Sequence, residues 1–308
     1  MTKLKELPQG ASYAAELLIT SASIETTAKK TKYASLTLLS MDGEKISAKK
    51  WNTESLSGLE VDSVVSVLGE VNVYNNNKSI IIKKVSESEL SPEAFPEESP
   101  LTAKETKNLF KEFFDSISNP NLQEVVRFVI QHAEGYFKAP AAKSIHHTFK
   151  GGLAFHSLTM AKSADSFCKI YPYLNRDLLI SAAIIHDAGK TIELAEGAYS
   201  TQGHLYGHII IVNDLIQEAI FNNKKLANDN EVALLKHIIL AHHGKLEWGS
   251  PVLGATPEAI IFHHIDKIDA DMMITTTALE STNAGEFTGR QWALDNRVLF
   301  NPDDTPIL

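Results

Sequence analysis

LLISAAIIHDAGK, Leu178–Lys190, is an apolar segment that ends on adjacent His186 and Asp187 and stops at Gly189. Leu178, Leu179, Ala182 and Ile185 recur at helical spacing, Asn175 suits the N-cap, and Gly189 suits the left-handed position just past a helix end. The pattern predicts a buried helix whose last turn carries His186 and Asp187. An ionised carboxylate buried beside an imidazole is costly unless it is paired, and a divalent cation is the strongest partner available. Taken alone, the dipeptide is better read as a structural His–Asp hydrogen bond, because two-residue matches are common.

The remaining histidines decide between the two. His156 lies in GGLAFHS, His204 and His208 in HLYGH, His242 and His243 in LAHHGK, and Asp266 in HHIDKIDA. Each is on or beside an apolar helical segment, where unpaired polar side chains are unfavourable. Imidazoles and carboxylates converging from separate helices are metal chemistry. In this order the residues resemble the HD-domain metal-dependent phosphohydrolases: a His, then His-Asp, further His in the two-metal members, then a late Asp. The resemblance implies one divalent ion held by His156, His186, Asp187 and Asp266. A second would be held by Asp187, His208, His242 and His243, with Asp187 as bridge. Lys190, directly after Gly189, can reach the same corner, where an ammonium suits a phosphate oxygen. Asp187 and Lys190 are therefore the expected catalytic pair. Asp266 is chosen over Asp269 because the family's late aspartate precedes such a D-x-x-D-A ending. His204, on the same helix face as His208 at i, i+4, is a supporting or substrate residue. His147, ahead of the Gly151–Gly152 break, is a further substrate contact.

At 308 residues and 44% hydrophobic composition the chain can bury two cores. No apolar run reaches membrane-spanning length and the N-terminus lacks an apolar signal core, so a soluble, cytoplasmic protein with no membrane partner is expected. The single Cys168 allows no intrachain disulfide. Net charge is −9, but residues 1–85 carry 11 Lys and 9 Asp+Glu, a balance of +2 that leaves −11 for the remainder.

Residues 1–85 read as short strands at 13–24, 32–40, 44–49, 64–74 and 79–85, separated by turn signals such as Met41-Asp42-Gly43. About five strands in this length suggest a small closed barrel of OB type, with an SH3-like barrel as the alternative. Tyr33, Trp51 and Tyr74, with Lys32, Lys49, Lys50 and Lys78 nearby, would offer stacking faces and phosphate contacts to a single strand. Trp51 in the core and lysines on a solvated face would satisfy the same residues. Residues 86–101, SESELSPEAFPEESPL, are acidic and proline-containing and read as a semi-rigid linker. From 102 to 284 the period becomes helical, giving an all-α domain of about seven helices. The tail 285–308 holds Phe287, Arg290, Trp292, Arg297 and Phe300 and is expected to pack on that domain.

An OB-type barrel, a linker and an HD domain, with the KGGLAFHS, HDAGK and LDNR segments, resemble the YhaM-type bacterial 3′→5′ exoribonucleases along nearly the whole chain. The resemblance implies hydrolysis of single-stranded RNA to mononucleotides, with single-stranded DNA as a further substrate class. It also implies two divalent ions, manganese favoured and iron, cobalt or magnesium open, and leaves a homo-oligomer open. The metal site alone also suits a nucleotide phosphohydrolase or a cyclic-dinucleotide phosphodiesterase, and the barrel alone a non-enzymatic RNA-binding protein.

Overall fold

The computed structural model describes residues 4–27, 30–74, 77–95, 99–142, 149–195, 198–280 and 282–302. The chain divides into two compact units, one containing the barrel and the residues from Asp271 on, the other most of Leu101–Ala270.

In the first unit the apolar residues alternate along each strand and point into one interior. The strands are β1 (Ser12–Thr26), β2 (Lys32–Leu39), β3 (Lys45–Trp51), β4 (Val64–Tyr74) and β5 (Asn77–Glu87). They close in the order β1-β2-β3-β5-β4, with β1 antiparallel to both β2 and β4 and β3 parallel to β5. That order is OB topology, and the SH3-like alternative is not found. A register shift between Ile19 and Ser21 lets the long β1 bend and serve both edges of the closure. Leu17, Ile19, Leu36, Leu38, Ile46, Val67 and Ile80 fill the interior. Burying each contributes roughly 1.5–3 kcal/mol. The segment after β5 does not leave the barrel at once: Phe95 is buried with Leu18, Leu39 and Val64, an anchor that acidic, proline-containing composition hides.

The second unit is helical, with α1 (Ala103–Asp115), α2 (Pro120–His132), α3 (Gly152–Ile170), α4 (Arg176–Ile185), α5 (Lys190–Glu193), α6 (Thr201–Asn222) and α7 (Asn230–Ala241). The last helix, α8 (Pro257–Glu280), runs out of it. Every residue from Leu178 to Ile185 in α4 is buried, as expected of a helix that is apolar all round and sits at the centre of its domain. Asn175 caps it by accepting the Leu178 N–H at 3.2 Å. No helix among the described residues is long and apolar enough to cross a membrane. The tail turns back on the end of α8, where Asn301 Nδ2 donates to the Thr282 carbonyl at 2.7 Å.

The end of α4 is held from outside the helix. The buried Tyr136 hydroxyl donates to the Ile184 carbonyl at 2.8 Å, in the turn whose carbonyls a helix end leaves short of donors. Tyr136→Phe should therefore destabilise the helical unit by about 1–3 kcal/mol, read as a lower denaturant midpoint with an unchanged circular-dichroism spectrum. An unshifted midpoint would show that this hydrogen bond does not brace the helix end.

Candidate metal centre

α4 ends at Ile185, and His186 and Asp187 lie in the tight turn that joins it to α5. Gly189 closes this turn, but not in the left-handed conformation its position after a helix predicts: φ is −62°. It is required for space instead. A Cβ there would lie 2.5 Å from the His208 carbonyl oxygen, so only glycine lets α6 approach the corner.

Around Asp187 the structure gathers His156 from α3, His208 from α6, His242 and His243 from the end of α7, and Asp266 from α8. The two carboxylate oxygens of Asp187 face different groups. Oδ2 is 3.3 Å from His186 Nε2, 3.6 Å from His156 Nε2 and 2.7 Å from Lys190 Nζ. Oδ1 is 3.3 Å from His208 Nε2 and 4.0 Å from His242 Nε2. On one side His156, His186 and Asp266, and on the other His208, His242 and His243, each bring three ligand atoms within 4.8 Å of one another.

The histidines are turned so that Nδ1 is engaged outward. His156 Nδ1 meets Asp269 Oδ2 at 2.6 Å and His208 Nδ1 meets Glu193 Oε2 at 3.1 Å. His186, His242 and His243 use the carbonyls of Ala183, Ile239 and Trp248 at 3.2, 2.7 and 2.8 Å. This is how imidazoles are oriented to offer Nε2 to a metal. Nε2 of His208 and of His242 is buried and makes no hydrogen bond; at 3.3 Å from Asp187 Oδ1, the His208 nitrogen is not aligned for one. Two orphaned buried nitrogens beside a carboxylate are unfavourable in a protein and natural around a divalent cation. The donor set, imidazole with carboxylate, fits a first-row divalent ion.

The electrostatics agree. Burial would raise the Asp187 carboxyl, but the Lys190 ammonium and the His186 imidazole outweigh it and hold it well below the usual carboxylate range. Burial, reinforced by His243 and His186, drives His242 far down, and burial with His208 lowers His243, leaving both as neutral ligands. His156 differs: burial alone would lower it, yet hydrogen bonds to Asp266 and Asp269 lift it to about 10.

The other anticipated residues fare unevenly. Lys190 is in the corner, 2.7 Å from Asp187, so it serves as that carboxylate's counter-ion in this state. His204 is exposed against the Tyr199 ring and is not brought to the cluster. The i, i+4 pairing with His208 fails because α6 is broken at Gly207, with φ 71° and ψ 161°. His147 lies outside the described residues. In the barrel Trp51 is 40% exposed and Tyr74 more so, whereas Tyr33 is largely buried beneath Trp51, its hydroxyl bonded to Glu25. That hydrogen bond and burial push the phenol up to about 12. Tyr33 is thus a support for Trp51 more than an open stacking face. Glu193 was missed by sequence reading: it takes both the backbone N–H and the ring of His208. No spacing marks it, because its contact depends on how α5 and α6 fold together.

A metal at His156 Nε2 must displace the proton that Asp266 stabilises there, while Asp269 keeps the proton on Nδ1. The sign follows from the raised value: His156 is protonated at neutral pH in the metal-free chain, so affinity for a divalent ion should rise with pH up to about 10. The expected slope approaches roughly tenfold per unit for one proton. Calorimetric titration in buffers of different ionisation enthalpy should show about one proton released on loading. Metal uptake without proton release would mean that His156 is neutral before binding.

The HD domain family model matches residues 153–271, which span the whole ligand cluster. Curated relatives match over most of the chain. The 3′-5′ exoribonuclease YhaM of Listeria innocua is 35% identical over 297 residues, covering 92% of this chain and 94% of its own. That of Bacillus subtilis is 35% identical with 93% of each chain covered, and that of Bacillus velezensis 36% identical with 88% of each. Among solved structures, the second OB-fold domain of replication protein A from Methanococcus maripaludis matches at a TM-score of 0.21 and 20% identity, over 29% of this chain and 95% of that one, too slight a likeness to add to the barrel topology. With such identity over nearly its full length and an HD domain around the His and Asp cluster, the chain belongs to the family of the YhaM 3′-5′ exoribonucleases, metal-dependent hydrolases.

Proposed function

We propose that this chain removes nucleotides one at a time from the 3′ end of single-stranded RNA, releasing mononucleotides, at a centre of two divalent ions with manganese as the preferred metal. The observation that carries the reading is the division of Asp187: one oxygen faces the His156, His186 and Asp266 group and the other the His208 and His242 side. A carboxylate so placed can bridge two ions. His156, His186, Asp187 and Asp266 would hold one; Asp187, His208, His242 and His243 would hold the other. Bound there, divalent cations acidify water and offset charge on phosphoryl oxygens.

The protein's own groups do the rest. Asp269 and Glu193 fix the rings of His156 and His208, so neither Nε2 has to be reoriented on loading. Lys190, raised above its ordinary value because the Asp187 charge outweighs burial, stays an ammonium and can turn from Asp187 to a phosphate oxygen once cations share that carboxylate. In this reading residues 1–85 hold the strand, 86–101 connect and 102–284 cut. Trp51 would supply an exposed stacking face and Lys49 and Lys50 phosphate contacts. Because stacking does not read the 2′-hydroxyl, single-stranded DNA is a second substrate in the proposal. The single cysteine suits the cytoplasm.

The direct test is an end-labelled single-stranded RNA incubated with the protein, with and without manganese, beside nucleoside triphosphates and cyclic dinucleotides. Stepwise shortening from the 3′ end with mononucleotide products is expected. Hydrolysis of a triphosphate or cyclic dinucleotide without RNA shortening would assign the centre to another phosphohydrolase.

The number of ions is tested separately by His208→Ala. Metal per chain should fall from about two towards one, and turnover by orders of magnitude with partial recovery at high manganese. One tightly held metal in the unmodified protein, with full activity in the variant, would remove the second ion.

A further inference from the structure

Past His243 the chain forms a tight loop, and its hydrogen bonds fix it. Gly244 and Gly249 take left-handed conformations. Trp248 N–H donates to the Lys245 carbonyl at 3.1 Å, Gly249 N–H to Leu246 at 3.0 Å, and the buried Ser250 hydroxyl to Leu240 at 3.1 Å. Such a loop could have folded its one large aromatic inward. Instead the Trp248 indole is 45% exposed, with the Lys245 ammonium 4.1 Å from the ring centroid. The same residue's carbonyl accepts the His243 ring N–H at 2.8 Å. His243 is also the least buried of the clustered histidines, so the centre is least sealed at the histidine that Trp248 holds.

We propose that Trp248 is a stacking platform for the base of the nucleotide being released, with Lys245 beside it for that nucleotide's phosphate. The proposal rests on the exonucleolytic reading above. A nucleotide leaving the 3′ end carries the cleaved phosphate on its own 5′ carbon, so its base lies one sugar away from the metals. Trp248 is joined to the centre through its carbonyl, bonded to the outward nitrogen of a ligand imidazole whose other nitrogen belongs to the cluster. Stacking on an indole accepts any base, which suits an enzyme that must release all four. The link to His243 runs through the backbone, so the platform can be removed without removing the brace.

The test separates the platform from the reaction. Binding of adenosine 5′-monophosphate and of ribose 5-phosphate to the manganese-loaded full chain is measured by calorimetry. The unmodified protein should bind the nucleotide at least about tenfold more tightly than the sugar phosphate. Trp248→Ala should bind both alike, Trp248→Phe should keep most of the preference and Trp248→Leu should lose it, all with unchanged metal content. A full preference in Trp248→Ala or in Trp248→Leu would overturn the platform, as would no preference in the unmodified protein. If Trp248→Ala loses metal or fold, the Phe and Leu variants still separate an aromatic face from bulk. Base preference that depends on Trp248 in a protein that does not shorten RNA would retain the platform and reject the exonucleolytic reading.

Discussion

One buried negative charge constrains this molecule more than any other. The Asp187 carboxylate stands at the end of a helix sealed on every side, where an uncompensated charge costs several kcal/mol. Its position is set by apolar packing along α4, while its compensation comes from other helices. Lys190 supplies an ammonium in contact with it, and imidazoles from α3, α6 and α7 supply nitrogens aimed at it. The core therefore fixes a point, and the rest of the helical unit is arranged to bring ligands to that point. Gly189 is part of the arrangement, since any side chain there would push α6 and its His208 away.

What could be read in advance follows the physics of each signal. Alternation along a strand and the apolar stripe of a helix are local, and they gave β4 as Val64–Tyr74 at its observed ends and the buried helix that runs from Leu178 towards His186. The ligand order was legible because clustered imidazoles on apolar helices have few structural uses. Features that arise only when elements meet were not. The parallel contact of β3 with β5 leaves no mark in either strand. Glu193 is an ordinary acidic residue until α6 lies against it, and His204 shares a face with His208 only if the helix is continuous through Gly207, which it is not. Gly189 was recognised as necessary for the wrong reason, conformation in place of close approach.

In the barrel the electrostatic footprint is thin, and one aromatic is already engaged. Tyr33 gives its hydroxyl to Glu25 and its face to Trp51 and Lys49. Such a surface grips a strand more through stacking than through counter-ion release, so its affinity should depend less steeply on salt than that of a basic groove. Weak, sequence-tolerant holding would suit the stepwise shortening proposed above.

The helical part meets RNA under the opposite handicap. Residues 102–284 carry 16 Lys+Arg against 20 Asp+Glu, a balance of −4, and their centre collects Asp187, Asp266, Asp269 and Glu193 against Lys190, which Asp187 already engages. A phosphate approaching those carboxylates unaided would be repelled, because at short range and low dielectric like charges dominate. Divalent cations bound there would reverse the sign at that spot. Bound ions would therefore have a second consequence beyond the chemistry they supply: they would turn the centre from a repellent into an attractive point for phosphate. In the proposed reaction, strand binding and cleavage would in this way be coupled through the same residues.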